Sequence, residues 1–158
     1  MAKENKTICI DFDGVLADYS EGYQGKDKFG EMIPGADVAS QVLKEKGWTI
    51  IIYTTRPATA ALKKWLEKNN IKYDFINENP NQPEDSKDGC KIAADIYLDD
   101  RGMTFRGQWT DWMIREIAEF QPCSAKKPDQ KKQMEKAYDE GKNWLKRTRE
   151  ALAVNSCI

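Results

Sequence analysis

The chain contains no histidine. That absence excludes Ser-His-Asp and Cys-His nucleophilic catalysis and every histidine-ligated metal site. Chemistry must then run on carboxylates, lysine, arginine, hydroxyls or thiols. Cysteine is sparse, and Cys9, Cys90, Cys123 and Cys157 show neither C-x-x-C spacing nor a zinc-type pattern. Cys9 lies inside an apolar run and reads as a small core residue, and a reducing compartment is expected. No apolar run approaches the ~20 residues of a membrane span, and M-A-K-E-N-K lacks the apolar core of a signal peptide. The expected location is the cytoplasm, without a membrane partner. Neither G-x-x-x-x-G-K-[ST] nor G-x-G-x-x-G occurs, so a nucleotide-binding kinase finds no support.

What is present is charge of both signs in near balance: 25 Lys/Arg and 26 Asp/Glu, net −1. With 158 residues, 40% of them hydrophobic, the chain is long enough for one well-buried domain with appendages and too short for two. The charge is uneven. Residues 126–158 hold nine Lys/Arg against five Asp/Glu, and the remainder sixteen against 21. Interleaved signs in this tail read as a solvated helix face before they read as a nucleic-acid surface.

The chain is organised around Thr7 to Asp18, T-I-C-I-D-F-D-G-V-L-A-D. A β-branched apolar run predicts a buried strand that stops at Asp11, and Gly14 lets the backbone turn away. Asp11 and Asp13, two apart on extended backbone, point the same way and repel unless a cation or a shared proton relieves them. The pair could also be an ordinary acidic turn. An EF-hand loop is excluded, because Val15 and Leu16 stand where a ligand and the obligatory glycine belong.

Further along, Tyr19 to Ile33 carries three glycines and no helical period, and reads as a loop or flap. Helices are expected over Ala36 to Lys46, Ala58 to Asn69 and Thr110 to Phe120, the last with Trp112, Met113, Ile117 and Phe120 facing inward. Strands are expected at Trp48 to Tyr53, Tyr73 to Ile76 and Ile96 to Leu98, with a short fifth at Thr104-Phe105. This alternation predicts an α/β fold with a parallel sheet covered on both faces, whose ligands bind beyond the carboxyl ends of the strands. A hydrolase domain over 1–122, a linker over 123–128 and an amphipathic C-terminal helix within 129–158 complete the expected organisation. The helix, about Gln130 to Leu152, would dock on the domain or pair two copies in a homo-oligomer.

Four groups fall at successive strand ends: Asp11-x-Asp13, Thr54, Lys91 and Asp99-Asp100. On D-F-D-G-V-L-A-D, I-Y-T-T-R, K-I-A-A-D-I-Y-L-D-D-R and M-T-F-R-G-Q-W, residues 7 to 121 resemble the haloacid dehalogenase superfamily, specifically its D-x-D-G phosphatases among small bacterial and phage hydrolases. The resemblance implies a three-layer α/β/α, Rossmann-like domain and a Mg²⁺-dependent phosphomonoesterase acting through an aspartyl-phosphate. It implies Asp11 as nucleophile and Asp13 as general acid and base, with Thr54 and Lys91 on the phosphoryl oxygens. Asp11, Asp13 through its backbone carbonyl, Asp99 and Asp100 would hold the metal. Thr55 competes with Thr54, and Lys87 with Lys91.

Arg56 and Arg101 read first as ion-pair partners of carboxylates. Arg56 is also a candidate for substrate contact, with Thr55, Tyr19 and Asn77; Tyr23, Lys26, Phe29 and Asn79 are held more weakly. The spacing leaves no room for a cap domain, which implies an open site. The expected substrate is a phosphate ester, with nucleotides and nucleic-acid 3′-phosphates suggested by analogy. The competing reading is a non-catalytic phosphate- or nucleic-acid-binding module on the same fold.

Overall fold

The computed structural model describes residues 6–122, apart from 88 and 106, together with Asn143, Lys146, Arg147 and Glu150. The linker and the C-terminal helix expected over 123–158 otherwise lie outside the described residues.

Among the described residues, four strands, β1 (Thr7–Ile10), β2 (Thr49–Ile52), β3 (Phe75–Ile76) and β4 (Ile96–Leu98), form one sheet in the order β3-β2-β1-β4. Every pairing is parallel, with Ile8 opposite Ile50 and Ile96, and Ile10 opposite Ile52 and Leu98. The fold is α/β and Rossmann-like. Alternation along β1 and β2 explains why both read as unbroken apolar runs. Ile8, Ile10, Ile50 and Ile52 enter one core cluster, whereas Cys9 and Ile51 enter another. Residues buried on both faces must be apolar at every position, since each buried isoleucine contributes about 1.5–3 kcal/mol.

Helices α1 (Ala36–Glu45) and α2 (Ala60–Lys68) cover the first cluster through Ala36, Leu43, Leu62, Trp65 and Leu66. The second cluster is closed by Ile92, with Tyr53, Phe75 and Ala94 against it. A third helix, α3 (Asp111–Ala118), follows β4. Helix α2 begins two residues later than the Pro57 signal suggests, because the Thr59 hydroxyl caps it by accepting from the Leu62 N–H at 3.2 Å. Thr110 caps α3 in the same way.

Three expectations are corrected. Thr104-Phe105 is not a strand. Strand β4, at one edge of the sheet, is exposed along its whole length. Of the expected inner stripe of α3, only Met113 is buried, while Trp112 (60%), Ile117 and Phe120 are exposed.

Candidate active site

The dipeptide spacing of D-F-D is explained by the residue between the acids. Phe12 is fully buried and packs edge-on against Trp65 and Phe29, at ring-centroid distances of 4.9 and 5.5 Å. The chain bends at Phe12, just past the end of β1; with Phe12 anchored in the core, Asp11 and Asp13 on either side of it both line a cavity of about 370 Å³. Tyr19, Tyr53, Thr54, Thr55, Asp99 and Arg101 complete its wall. The chain enters from the carboxyl end of β1, which the Asp11 N–H extends by donating to the Leu98 carbonyl at 2.9 Å. That is the sheet edge where ligands of parallel α/β folds bind.

Asp11, Asp99 and Asp100 each place a carboxylate oxygen within 4.8 Å of the other two. Burial, reinforced by the charges of Asp99, Asp100 and Asp13, pushes the Asp11 carboxyl up to about 7, against the lowering effect of the Phe12 N–H that donates to it at 2.7 Å. Asp99 is oriented by the Arg101 N–H, also at 2.7 Å. The Asp100 side chain is only 2% exposed, and its Oδ1 lies 3.8 Å from Arg101 Nε. Three oxygen donors of like charge in a partly desolvated corner suit a hard divalent cation such as Mg²⁺, which takes a few carboxylates and keeps several waters.

Gly14 is what allows this approach. Its φ is +84°, and a Cβ there would stand 2.7 Å from Asp100 Oδ2. Only glycine tolerates both the backbone conformation and the neighbouring carboxylate.

Asp13 is held differently from the other three acids. Arg56, 4% exposed, donates from Nε to Asp13 Oδ2 at 2.7 Å and from Nη2 to Oδ1 at 3.0 Å. The fork fixes the carboxylate's orientation, and with about four lone-pair sites available it leaves Asp13 able to accept further bonds from the cavity. Arg56 is therefore an ion-pair partner in a buried position, and it does not line the cavity with Asp11 and Asp99.

Thr54 and Thr55 both line the cavity; Thr54 is the buried one, and its hydroxyl accepts from the Arg56 N–H at 3.2 Å. Asn77, at φ 55°, uses its side chain on backbone, accepting from the Thr54 N–H at 2.8 Å and donating to the Arg56 carbonyl at 3.2 Å. It straps the end of β3 to the end of β2 and stands outside the cavity wall. Asn79 similarly donates to the Ala93 carbonyl.

Lys91 is not brought to the cavity wall. It is exposed, with Nζ 4.7 Å from the Tyr97 ring centroid, and Tyr97 in turn donates its hydroxyl to the Ile92 carbonyl. Lys87 pairs with Glu84 on the surface. Among the described residues, the cation in the cavity wall is Arg101. The sequence offered a signal for it, an arginine immediately after the paired acids, but that position reads equally as a local ion-pair partner.

No protein-family model matches the chain, and no curated protein matches it. Among solved structures, a conserved protein from Bacteroides thetaiotaomicron is similar over 75% of this chain and 93% of its own, with 25% identity and a TM-score of 0.49.

Proposed function

We propose that the chain is a divalent-cation-dependent phosphomonoesterase of the haloacid dehalogenase type, with Mg²⁺ as its metal. The observation that carries this reading is the convergence of Asp11, Asp99 and Asp100 within 4.8 Å, beside a cavity that Asp13 and Thr54 also line. Bound at the three carboxylates, Mg²⁺ would supply charge neutralisation for them and for an incoming phosphoryl group.

In this reading an Asp11 oxygen attacks phosphorus in line with the leaving alkoxide, which forms an aspartyl-phosphate and breaks the ester P–O bond. Asp13 delivers a proton to that alkoxide and then takes one from the water that cleaves the acyl phosphate. The Arg56 fork fixes the orientation of the Asp13 carboxylate in which either transfer would occur. The Thr54 hydroxyl donates to a phosphoryl oxygen, and Arg101 supplies positive charge at the cavity wall, where Lys91 was expected.

Turnover of p-nitrophenyl phosphate with Mg²⁺, with EDTA, and in Asp11→Asn tests the reading. Hydrolysis that survives chelation, or persists in the variant, overturns it. Binding of phosphorylated ligands without hydrolysis across mononucleotides, sugar phosphates and 3′-phosphorylated oligonucleotides would favour a non-catalytic module instead.

A further inference from the structure

Tyr19 to Ile33 contains neither helix nor regular strand, yet it is tied down at many points. Its ends form a narrow ribbon, in which Asp18 N–H donates to the Glu31 carbonyl and Ile33 N–H to the Leu16 carbonyl, both at 2.8 Å. Its second half is held by Thr59 donating to Asp27 at 2.9 Å and Trp65 Nε1 donating to the Gly30 carbonyl at 3.1 Å. The middle is held by Arg56. Its Nη1 donates to the Gly25 carbonyl at 2.8 Å, and the guanidinium carbon lies 5.0 Å from the Tyr23 ring centroid and 5.1 Å from that of Phe29.

One buried guanidinium thus holds Asp13 with two of its N–H groups and the flap with a third. A planar fork has fixed spacing between these donors, so neither partner can shift without disturbing the other. Gly25, at φ +124°, adopts backbone that a side chain would strain, and its carbonyl is the one that Arg56 holds.

The geometry points to Arg56 as a positioning residue that latches the flap to the orientation of Asp13, so that a lowered flap and a correctly aimed acid/base carboxylate are one state. The catalytic half of this inference rests on the phosphomonoesterase reading; the mechanical half does not. Lifting the flap removes the Gly25 acceptor and the Tyr23 and Phe29 rings, leaving the guanidinium able to swing and carry Asp13 with it. Removing the Asp13 carboxylate strands a buried charge, which should loosen the flap from the other side.

Arg56→Lys keeps the charge and loses the fork. Turnover of an alkyl phosphate, whose alkoxide needs a proton to leave, should fall about 100-fold in kcat, with KM nearly constant. Turnover of p-nitrophenyl phosphate, whose leaving group needs none, should fall much less. In parallel, trypsin cleavage after Lys26 or Lys28 in the flap should accelerate about tenfold, with cleavage after Lys63 on α2 unchanged as the control for global unfolding. Equal losses on both esters overturn the positioning role. Unchanged flap cleavage overturns the latch. If the wild-type protein turns over neither ester, the phosphomonoesterase reading and the catalytic half fall together, and the cleavage rates alone decide the mechanical half. Asp13→Asn, which leaves Arg56 in place, repeats the cleavage measurement should Arg56→Lys fail to fold.

Discussion

The sharpest consequence of the carboxylate cluster is that the metal-free protein should be limited in stability by its own Asp11. Its carboxyl is raised from 3.8 to about 7 by burial and by Asp99, Asp100 and Asp13. Between those two pH values the folded chain binds a proton at Asp11 that the unfolded chain does not. Stability from this group therefore falls as pH rises from about 4 to about 7, and is flat above that. About three pH units correspond to about 4 kcal/mol as a ceiling. Asp11 still lines an open cavity, and solvent screening reduces the expected effect to about 1–2 kcal/mol.

Asp11→Asn removes the ionisation and leaves an amide oxygen to accept from the Phe12 N–H. Urea unfolding in EDTA at pH 4, 5, 6, 7 and 8 should show the variant more stable than wild type by about 1–2 kcal/mol at pH 8, with the gap closing toward pH 4. Adding Mg²⁺ at pH 8 should stabilise wild type and leave Asp11→Asn much less changed. Parallel stability curves for the two proteins from pH 4 to 8 would refute the reasoning, because they would mean that Asp11 feels neither burial nor its neighbours.

Gly14→Ala forces a side chain into positive φ and against Asp100, and should cost about 1–3 kcal/mol in urea unfolding while weakening Mg²⁺ binding by calorimetry. Gly30→Ala places a Cβ 2.0 Å from the Asp18 carbonyl oxygen, which only backbone movement can relieve, so its melting temperature should drop by several degrees. Arg56→Met strands Asp13 and should destabilise by about 3–5 kcal/mol, whereas the double variant Arg56→Met/Asp13→Leu should lose distinctly less than the sum of the singles. Asp99→Asn should weaken Mg²⁺ binding about tenfold or more, read by calorimetry, without destabilising the metal-free fold.

The parallel sheet and the meeting of Asp11, Asp99 and Asp100 at one corner were legible because they depend on short-range regularities. Ile8 to Ile10 and Ile50 to Ile52 announce strands buried on both faces, and in a parallel sheet the residues following such strands collect at one edge. Asp11, Asp99 and Asp100 then meet because β1 and β4 are neighbours. The outer position of β4 was not legible, since an apolar triplet such as Ile96-Tyr97-Leu98 looks the same in the middle of a sheet and at its edge. The exposure of Trp112 and Ile117 on α3 escaped for a related reason: periodicity defines an apolar stripe but does not name what it packs against.

The amino-acid order alone therefore determined the four strands, the three helices and which strand ends carry acid, though not the irregular course of Thr104-Phe105, because local propensity and side-chain alternation act over a few residues. Tertiary structure decided what each polar group does there. It gave Asp13 to a buried arginine 43 positions away, left Lys91 on the Tyr97 ring outside the cavity wall, and put Arg101 into that wall. Charged side chains find partners through space, and long flexible ones such as lysine and arginine reach in directions that spacing along the chain does not prescribe.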